Sequence, residues 1–146
     1  MTSGSQLTVY RMLAWNETDA AGHNHFSAAT RWLEEAEHAL YRALGIDLGL
    51  IDRIPRVKVH IEYFRRLYFG QILRIDLRVV RVGRSSATFG FEIRDPQGEL
   101  AVAGEYTVVH VATTDSGSES WPEDVRAALL RGDRLEIREV VSVIEE

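Results

Sequence analysis

The spacing of hydrophobic residues changes from segment to segment, and each spacing predicts an element. Residues 7–15 are β-prone and run into a polar stretch, residues 16–25, that has no apolar period, which predicts a strand followed by a loop. From Ser27 to Leu44 apolar residues recur at steps of three and four, the period of an amphipathic helix. The residues expected mostly on the opposite, polar side are Glu34, Glu35, Glu37, His38 and Arg42.

Local signals mark the ends of this helix. Asn24 or Ser27 can cap its start, since both side chains accept hydrogen bonds from exposed backbone N–H groups. Gly45 followed by Ile46 suits a left-handed stop with an apolar contact behind it.

Beyond Pro55 the period falls to two. Alternation runs through residues 57–63, 73–79 and 87–93, and a turn at residues 95–98 leads into a long strand over about 100–112. Consecutive strands with short connections predict an antiparallel meander, which the first strand can join. The predicted class is therefore α+β, with a five-stranded antiparallel sheet wrapped around one long helix.

The 146 residues fit a single domain with its core at about residues 7–112. Residues 113–120 have linker composition, and residues 121–130 predict a short helix with Pro122 in its first turn. Residues 133–146 are either an added strand or a tail that orders against a partner subunit.

Composition and charge narrow the function. The chain has no cysteine, which excludes disulfides, Cys-ligated zinc and a thiol nucleophile, and a net charge of -5 argues against nucleic-acid binding. Without a secretion signal at the start or a run of roughly 18 apolar residues, we expect a cytoplasmic protein that does not enter a membrane. Local basic spots, Arg65-Arg66 and Arg81 to Arg84, can hold a small phosphorylated ligand.

The loop before the long helix concentrates the candidate chemistry. Within nine residues it carries Glu17, Asp19, His23, Asn24 and His25. A helix start offers unpaired N–H groups and favours negative charge, so a carboxylate here can act beside a site that stabilises an oxyanion, as acyl transfer requires. The plain structural interpretation is a helix cap. His23 and His25 are two residues apart on a loop, which fixes no common direction, so we expect no metal site.

The segment from Trp15 to His23, followed by residues 31–36 (RWLEEA), resembles the signature of hotdog-fold thioesterases of the 4-hydroxybenzoyl-CoA thioesterase family. The likeness is specific over residues 15–36, weaker to 112, and absent from 113–146. It implies hydrolysis of an acyl thioester on coenzyme A or a carrier protein, with no cofactor other than the coenzyme A or phosphopantetheine of the substrate, and no metal.

The resemblance also implies roles for individual residues. Asp19 matches the catalytic carboxylate, the nucleophile or the general base, and the backbone N–H of Phe26 matches the donor to the thioester carbonyl. His23 or His25 would orient Asp19 or shuttle a proton. The residues expected to contact substrate are Glu17, Asn24, Ala29, His60, Arg81, Arg84, Ser85 and Ser86, with His60 acting across a subunit interface.

Departures from the pattern leave alternatives open. Glu17 replaces the usual Asp, and Ala28 and Ala29 stand where an aromatic residue is common, which suggests an acyl group larger or longer than one hydroxybenzoyl ring. A hotdog hydratase or dehydratase and a non-catalytic acyl-binding protein are the rival functions. Uncovered sheet edges favour a homodimer or a dimer of dimers. An acyl carrier protein is a further candidate partner.

Overall fold

The long helix and five of the strands form close to where the spacing predicts them, although the first strand and the one after residue 100 each end three residues early. In the computed structural model, which describes residues 4–138, the long helix α1 spans Ala28–Ala43. The strands are β1 Gln6–Met12, β2 Arg56–Tyr63, β3 Ile72–Val82, β4 Ser86–Arg94, β5 Leu100–Val109 and β6 Arg134–Ile137, and a second helix, α2, spans Glu123–Leu130. Short 3-10 turns lie at Trp15–Glu17 and Leu48–Arg53.

The strands form one sheet in the order β2-β5-β4-β3-β1-β6. The predicted antiparallel meander is present, and β1 joins it beside β3 with Gln6 opposite Arg78. The predicted count of five strands is wrong, because β6 adds a sixth that runs parallel to β1. The added-strand interpretation of the C-terminal segment is thus confirmed for residues 134–137, while residues 139–146 of that segment lie outside the described residues.

One face of α1 packs against the sheet and makes the core. Trp32, Leu33, Ala36 and Leu40 are buried against the inward residues of β1 and β3, as the helical spacing predicts. At its end, Gly45 adopts a φ of 79°, and the Ile46 N–H donates to the Tyr41 carbonyl at 2.9 Å. The predicted left-handed stop is confirmed.

Two predictions about α1 are wrong. Ser27 occupies the N-cap position but its side chain makes no capping hydrogen bond, and the Asn24 side chain instead accepts from the Leu67 N–H. Glu37, assigned to the polar side, is fully buried. Its carboxylate accepts hydrogen bonds from Tyr41, Tyr106 and Arg56, so three donors replace the lost water.

The segment after β5 folds back over the turn between β3 and β4. The Trp121 indole N–H donates to the Ser86 carbonyl at 3.0 Å, and Arg126 donates to the Gly83 carbonyl at 2.7 Å. Helix α2 follows, with Pro122 at its N-cap position instead of inside the first turn. This segment therefore covers the end of the sheet opposite to the one where β3 begins.

Candidate functional site

A tight turn holds Asp19 between β1 and α1. The Asp19 N–H donates to the His23 carbonyl at 2.9 Å, and the Gly22 N–H donates to the Asp19 carbonyl at 3.0 Å. Gly22 has a φ of 88°, a left-handed conformation that suits glycine. Within the turn, Asp19 Oδ1 accepts from the Ala21 N–H at 2.9 Å. One carboxylate oxygen is thus held by the backbone, and the side chain keeps 32% exposure.

His23 lies beside this carboxylate. Its Nδ1 is 3.8 Å from Asp19 Oδ2, and its ring meets the Tyr68 ring edge-on at 6.4 Å between centroids. The backbone of His23 also forms an isolated β-bridge with Tyr68. This arrangement places an imidazole where it can orient the carboxylate or exchange a proton with it.

Asp19 and His23 open onto a cleft of about 770 Å³, a size that suits a substrate of moderate bulk. Its wall combines polar loop residues with exposed aromatic side chains and two arginines. The lining residues are Asp19, His23, Asn24, Phe26, Tyr63, Phe64, Arg65, Arg66, Tyr68, Gln71, Asp95 and Gln97. The cleft lies at the end of the sheet where β3 begins and β4 ends.

The start of α1 borders the same cleft at Phe26, two residues before the helix begins. The Phe26 side chain is 72% exposed, and its carbonyl accepts a short hydrogen bond from the Tyr63 hydroxyl. Partial burial raises the pKa of Tyr63, so this hydroxyl stays a donor. Among residues 4–138, the Phe26 N–H has no hydrogen-bond acceptor. A free donor therefore stands at the positive end of the helix dipole.

Asn24 ties this loop to the segment after β2. Its N–H donates to the Leu67 carbonyl at 2.8 Å, and its side-chain oxygen accepts from the Leu67 N–H at 3.0 Å. Asn24 is 8% exposed and Leu67 is fully buried. Asn24, which was expected to contact substrate, therefore lines the cleft. Its pairing with Leu67 also fixes the loop against the segment after β2.

Glu17 lies on the other side of the loop, in a buried ion pair. Its Oε1 is 2.7 Å from Arg11 Nη1 and also accepts the Ala14 N–H at 2.9 Å. Burial alone would raise the pKa of Glu17, but the hydrogen bonds from Arg11 and Ala14 together lower it below 4.5, so Glu17 is ionised at neutral pH. Glu17 does not line the large cleft.

His25 shares a smaller hollow of about 160 Å³ with Glu17. Its Nδ1 lies 2.8 Å from Ser27 Oγ, and its ring stacks on the Phe26 ring at 4.7 Å. The structure therefore brings Asp19, His23, Asn24 and Phe26 together in the large cleft, whereas His25 and Glu17 line the smaller hollow.

The other residues expected at the site lie elsewhere in the single chain. Ala29 is fully buried in the core, so it does not shape the cleft. His60 is exposed on β2, 3.6 Å from Glu62. His110 is buried and stacks on Trp121 at 5.3 Å.

The turn between β3 and β4 is at the far end of the sheet from the cleft. It carries Arg81, Arg84, Ser85 and Ser86 and is separated from the start of β3 by roughly 30 Å of extended strand. Arg81 donates to Thr88, and Arg84 donates to Ser120 at 2.5 Å. Within one chain these residues cannot reach a ligand held at Asp19.

Sequence reasoning did not assign the segment 63–70 to the site. Tyr63, Phe64 and Tyr68 are all more than 40% exposed, and together with Arg65 and Arg66 they form one wall of the cleft. The available signal was the run of aromatic and basic residues just where the alternation of β2 stops. Exposed aromatic clusters of this kind mark binding surfaces.

Neither a metal-ligand cluster nor a membrane-spanning helix is present in the described part of the chain. Within residues 4–138, no group of three or more His, Asp or Glu side chains is arranged to hold a metal ion. No helix in that part of the chain is both long and apolar enough to cross a membrane.

The profile of the Thioesterase-like superfamily matches residues 13–129. The chain belongs to this superfamily. One similar protein is the 1,4-dihydroxy-2-naphthoyl-CoA hydrolase of Synechococcus elongatus, which is 31% identical over 99 residues; these cover 64% of this chain and 73% of the relative. The enzyme of the same name from Prochlorococcus marinus is 27% identical over 118 residues, covering 73% of this chain and 74% of the relative.

Solved structures confirm the fold of this superfamily member. A 1,4-dihydroxy-2-naphthoyl-CoA thioesterase from Synechocystis superposes with a TM-score of 0.79 at 18% identity, covering 86% of this chain and 96% of that one. A thioesterase from Thermus thermophilus, solved with coenzyme A and Zn, gives a TM-score of 0.76 at 19% identity, covering 88% and 94%. These structures confirm the hotdog fold expected from residues 15–36. The superfamily match and the named hydrolases confirm thioester hydrolysis as the class of activity.

Proposed function

We propose that this superfamily member hydrolyses an acyl-CoA whose acyl group is larger than one hydroxybenzoyl ring, with Asp19 as the catalytic carboxylate. The observation that carries the proposal is that one cleft is lined both by a partly exposed carboxylate, Asp19, and by Phe26, whose backbone N–H has no acceptor among the described residues. The relatives named for a naphthoyl substrate, which has two fused rings, support the size of the acyl group.

Hydrolysis of the thioester can follow either of two routes. As a nucleophile, Asp19 bonds to the thioester carbonyl carbon, the carbon–sulfur bond breaks, the thiolate leaves, and water then hydrolyses the anhydride. As a general base, Asp19 takes a proton from water while the water oxygen bonds to the carbonyl carbon; the carbon–sulfur bond then breaks, and the thiolate leaves and takes up the proton held by Asp19. Both routes give a free acid and a thiol, and the thiolate leaves readily without a metal or a strong acid.

Charge on the carbonyl oxygen develops in both routes. The Phe26 N–H and the start of α1 are the groups suited to stabilise it, because they carry partial positive charge and need no reorganisation. A preorganised donor of this kind is typically worth about 2.7–4 kcal/mol in the transition state. His23, 3.8 Å from Asp19, is the side chain suited to orient it.

Thiol release tests the proposal directly. Purified protein is given 1,4-dihydroxy-2-naphthoyl-CoA, 4-hydroxybenzoyl-CoA, acetyl-CoA and a long straight-chain acyl-CoA, and free thiol is followed with a thiol-reactive dye. We expect the largest kcat/KM with one of the two bulky acyl groups. A preference for acetyl or hydroxybenzoyl thioesters would contradict the size argument. Hydration of an enoyl thioester without thiol, or saturable binding with no reaction, would replace hydrolysis with one of the rival functions.

A second copy of this chain is the partner we propose along β2. Among the strands of residues 4–138, β2 pairs only with β5, which leaves its other edge without a strand partner there. Its apolar side chains are exposed, Val57 to 61% and Val59 to 49%. Tyr63 and Phe64, at the end of the same strand, border the cleft. A partner across this edge would continue the sheet, cover the apolar face and complete the cleft wall.

Light scattering on a sizing column tests this assembly. We expect at least a dimer for the wild type and a monomer for Val59→Lys, because a charge would be forced into the interface. Leu130→Lys is the matched control, since Leu130 is 48% exposed on α2. A monomeric wild type, or equal dissociation in both variants, would contradict the arrangement.

A further inference from the structure

The charges that line the cleft are unevenly paired. Asp19 and Asp95 supply two carboxylates, and Arg65 and Arg66 supply two cations. Arg65 lies 3.6 Å from Asp95 Oδ2, and 4.0 Å from Glu99. Within residues 4–138, Arg66 has neither an ion-pair nor a hydrogen-bond partner. The cleft therefore presents one guanidinium that the protein itself does not use.

The backbone that carries Arg66 is fixed on both sides. Before it, the N–H groups of Phe64 and Arg65 donate to the Ala101 carbonyl of β5, at 2.7 and 3.3 Å. After it, Leu67 is fully buried and makes two hydrogen bonds with Asn24, in the loop that holds Asp19. The side chain is free, but its point of attachment is held against the catalytic loop.

Such an arginine suits a phosphate group. Its planar fork donates two parallel hydrogen bonds to phosphate oxygens, and it is weakly hydrated compared with lysine. In every acyl thioester of coenzyme A or of a carrier protein, the sulfur atom belongs to a phosphopantetheine arm, and this arm carries a phosphate at its other end. Each such substrate therefore brings a phosphate with it. The turn at residues 81–86 is too distant to meet this phosphate within the same chain.

We infer that Arg66, assisted by Arg65, is the subsite for the phosphate of the phosphopantetheine arm, with the acyl group lying toward Asp19. This inference rests on the proposed function, since it takes the cleft to bind an acyl thioester. The acyl end and the phosphate end of the ligand are then recognised by different walls, the catalytic loop on one side and the segment after β2 on the other.

Truncated substrates isolate this contact. The Arg66→Met variant and the wild type are compared on three thioesters of one acyl group, carried by coenzyme A, by phosphopantetheine and by pantetheine, which has no phosphate. We expect kcat/KM to fall roughly 10- to 100-fold on the two phosphorylated substrates, mainly through KM, and to stay unchanged on acyl-pantetheine. High salt should shrink the difference because it screens the charge.

Arg42→Met is the matched control, since Arg42 is exposed on the last turn of α1 and does not line the cleft. It should leave all three substrates unaffected. Arg65→Met should have a smaller effect than Arg66→Met, because Arg65 already faces Asp95. An equal loss on acyl-pantetheine would overturn the inference and assign Arg66 to the acyl group or to Asp19. No loss on any substrate would also overturn it.

A further substrate, the same acyl group on an acyl carrier protein, identifies the source of the phosphate. If Arg66→Met loses as much kcat/KM on the acyl-carrier protein as on acyl-CoA, the subsite binds the phosphopantetheine arm of both kinds of substrate. If the loss is confined to acyl-CoA and acyl-phosphopantetheine, the subsite serves the free coenzyme. If the wild type hydrolyses none of these thioesters, the proposed function fails. The subsite is then tested by binding, where calorimetry should show Arg66→Met weakening coenzyme A and sparing pantetheine.

Discussion

Replacing Glu17 with glutamine tests how the loop that carries Asp19 is held. Glu17 is 4% exposed, and its Oε1 accepts from both Arg11, at 2.7 Å, and the Ala14 N–H, at 2.9 Å. The Glu17 carbonyl also accepts the His25 N–H at 2.8 Å, so this residue closes both ends of the loop. Glutamine keeps an acceptor oxygen at the same place but loses the charge that Arg11 faces.

The magnitude follows from what Arg11 retains. Its Nε lies 2.9 Å from Glu35 Oε1, although the angle is poor for a hydrogen bond. Because this second carboxylate stays, the loss falls below the roughly 3–5 kcal/mol of a fully broken buried pair. A hydrogen bond to a charged group is worth about 1.5–3 kcal/mol, and we expect Glu17→Gln to lower the free energy of unfolding by that amount. The looser loop should also lower kcat.

Acidity gives the same prediction an independent check. The lowered pKa of Glu17 means that its ionised form stabilises the fold above its unfolded value near 4.5, and that this contribution is lost as pH falls through the lower folded value. The stability difference between wild type and Glu17→Gln should therefore be full at pH 7 and shrink in acid.

Urea unfolding at pH 7 and at low pH measures this difference. Glu35→Gln is the control, since its side chain is 42% exposed and should change stability by less than about 1 kcal/mol. Equal stability of Glu17→Gln and wild type at pH 7, or a difference that does not shrink in acid, would refute the reasoning.

Two further substitutions probe the sheet and its contact with α1. Burial, and then the charge of Glu37, raise the pKa of Tyr106 well above 10, so its neutral form stabilises the fold fully below pH 10 and less above it. Tyr106→Phe should lower the free energy of unfolding by about 1–3 kcal/mol at pH 7. Above pH 10 the variant should lose stability less steeply than the wild type, as measured by urea unfolding at several pH values. Parallel stability curves for the two proteins would contradict this. A Cβ at Gly104 would lie 2.0 Å from the His60 carbonyl oxygen, so Gly104→Ala should cost at least about 1–3 kcal/mol in thermal unfolding. Gly117→Ala is the control and should leave the thermal stability unchanged, because a Cβ at Gly117 would meet no atom within 4 Å. Equal stability of the two variants would contradict the prediction.

Periodicity predicted α1, β3 and β4 well because each buries at least one face within the chain. The alternation in β3 and β4 corresponds to buried Ile75, Leu77, Phe89 and Phe91, and the spacing in α1 corresponds to its packed face. The same alternation in β2 predicted a buried face, but in a single chain this face is exposed. A hydrophobic pattern indicates that a face is to be buried, and it does not indicate whether the same chain or a second one buries it.

Long-range contacts account for what the sequence did not reveal. Glu37 is buried because donors from β2 and β5 reach it, and nothing within α1 signals those partners. Arg65 and Arg66 were noted as a basic pair, but their place in the cleft depends on Leu67 meeting Asn24, more than forty positions earlier in the chain. The loop motif around Asp19 was readable because its residues are contiguous.

Single-turnover thiol release by Asp19→Asn, compared with wild type and Asp115→Asn, tests the central claim most directly. Asp115 is exposed in the connection after β5 and provides the same change of charge away from the cleft. We predict a loss of roughly 10²–10⁴-fold or more for Asp19→Asn and full activity for Asp115→Asn. Wild-type rates in Asp19→Asn would show that another group performs the hydrolysis.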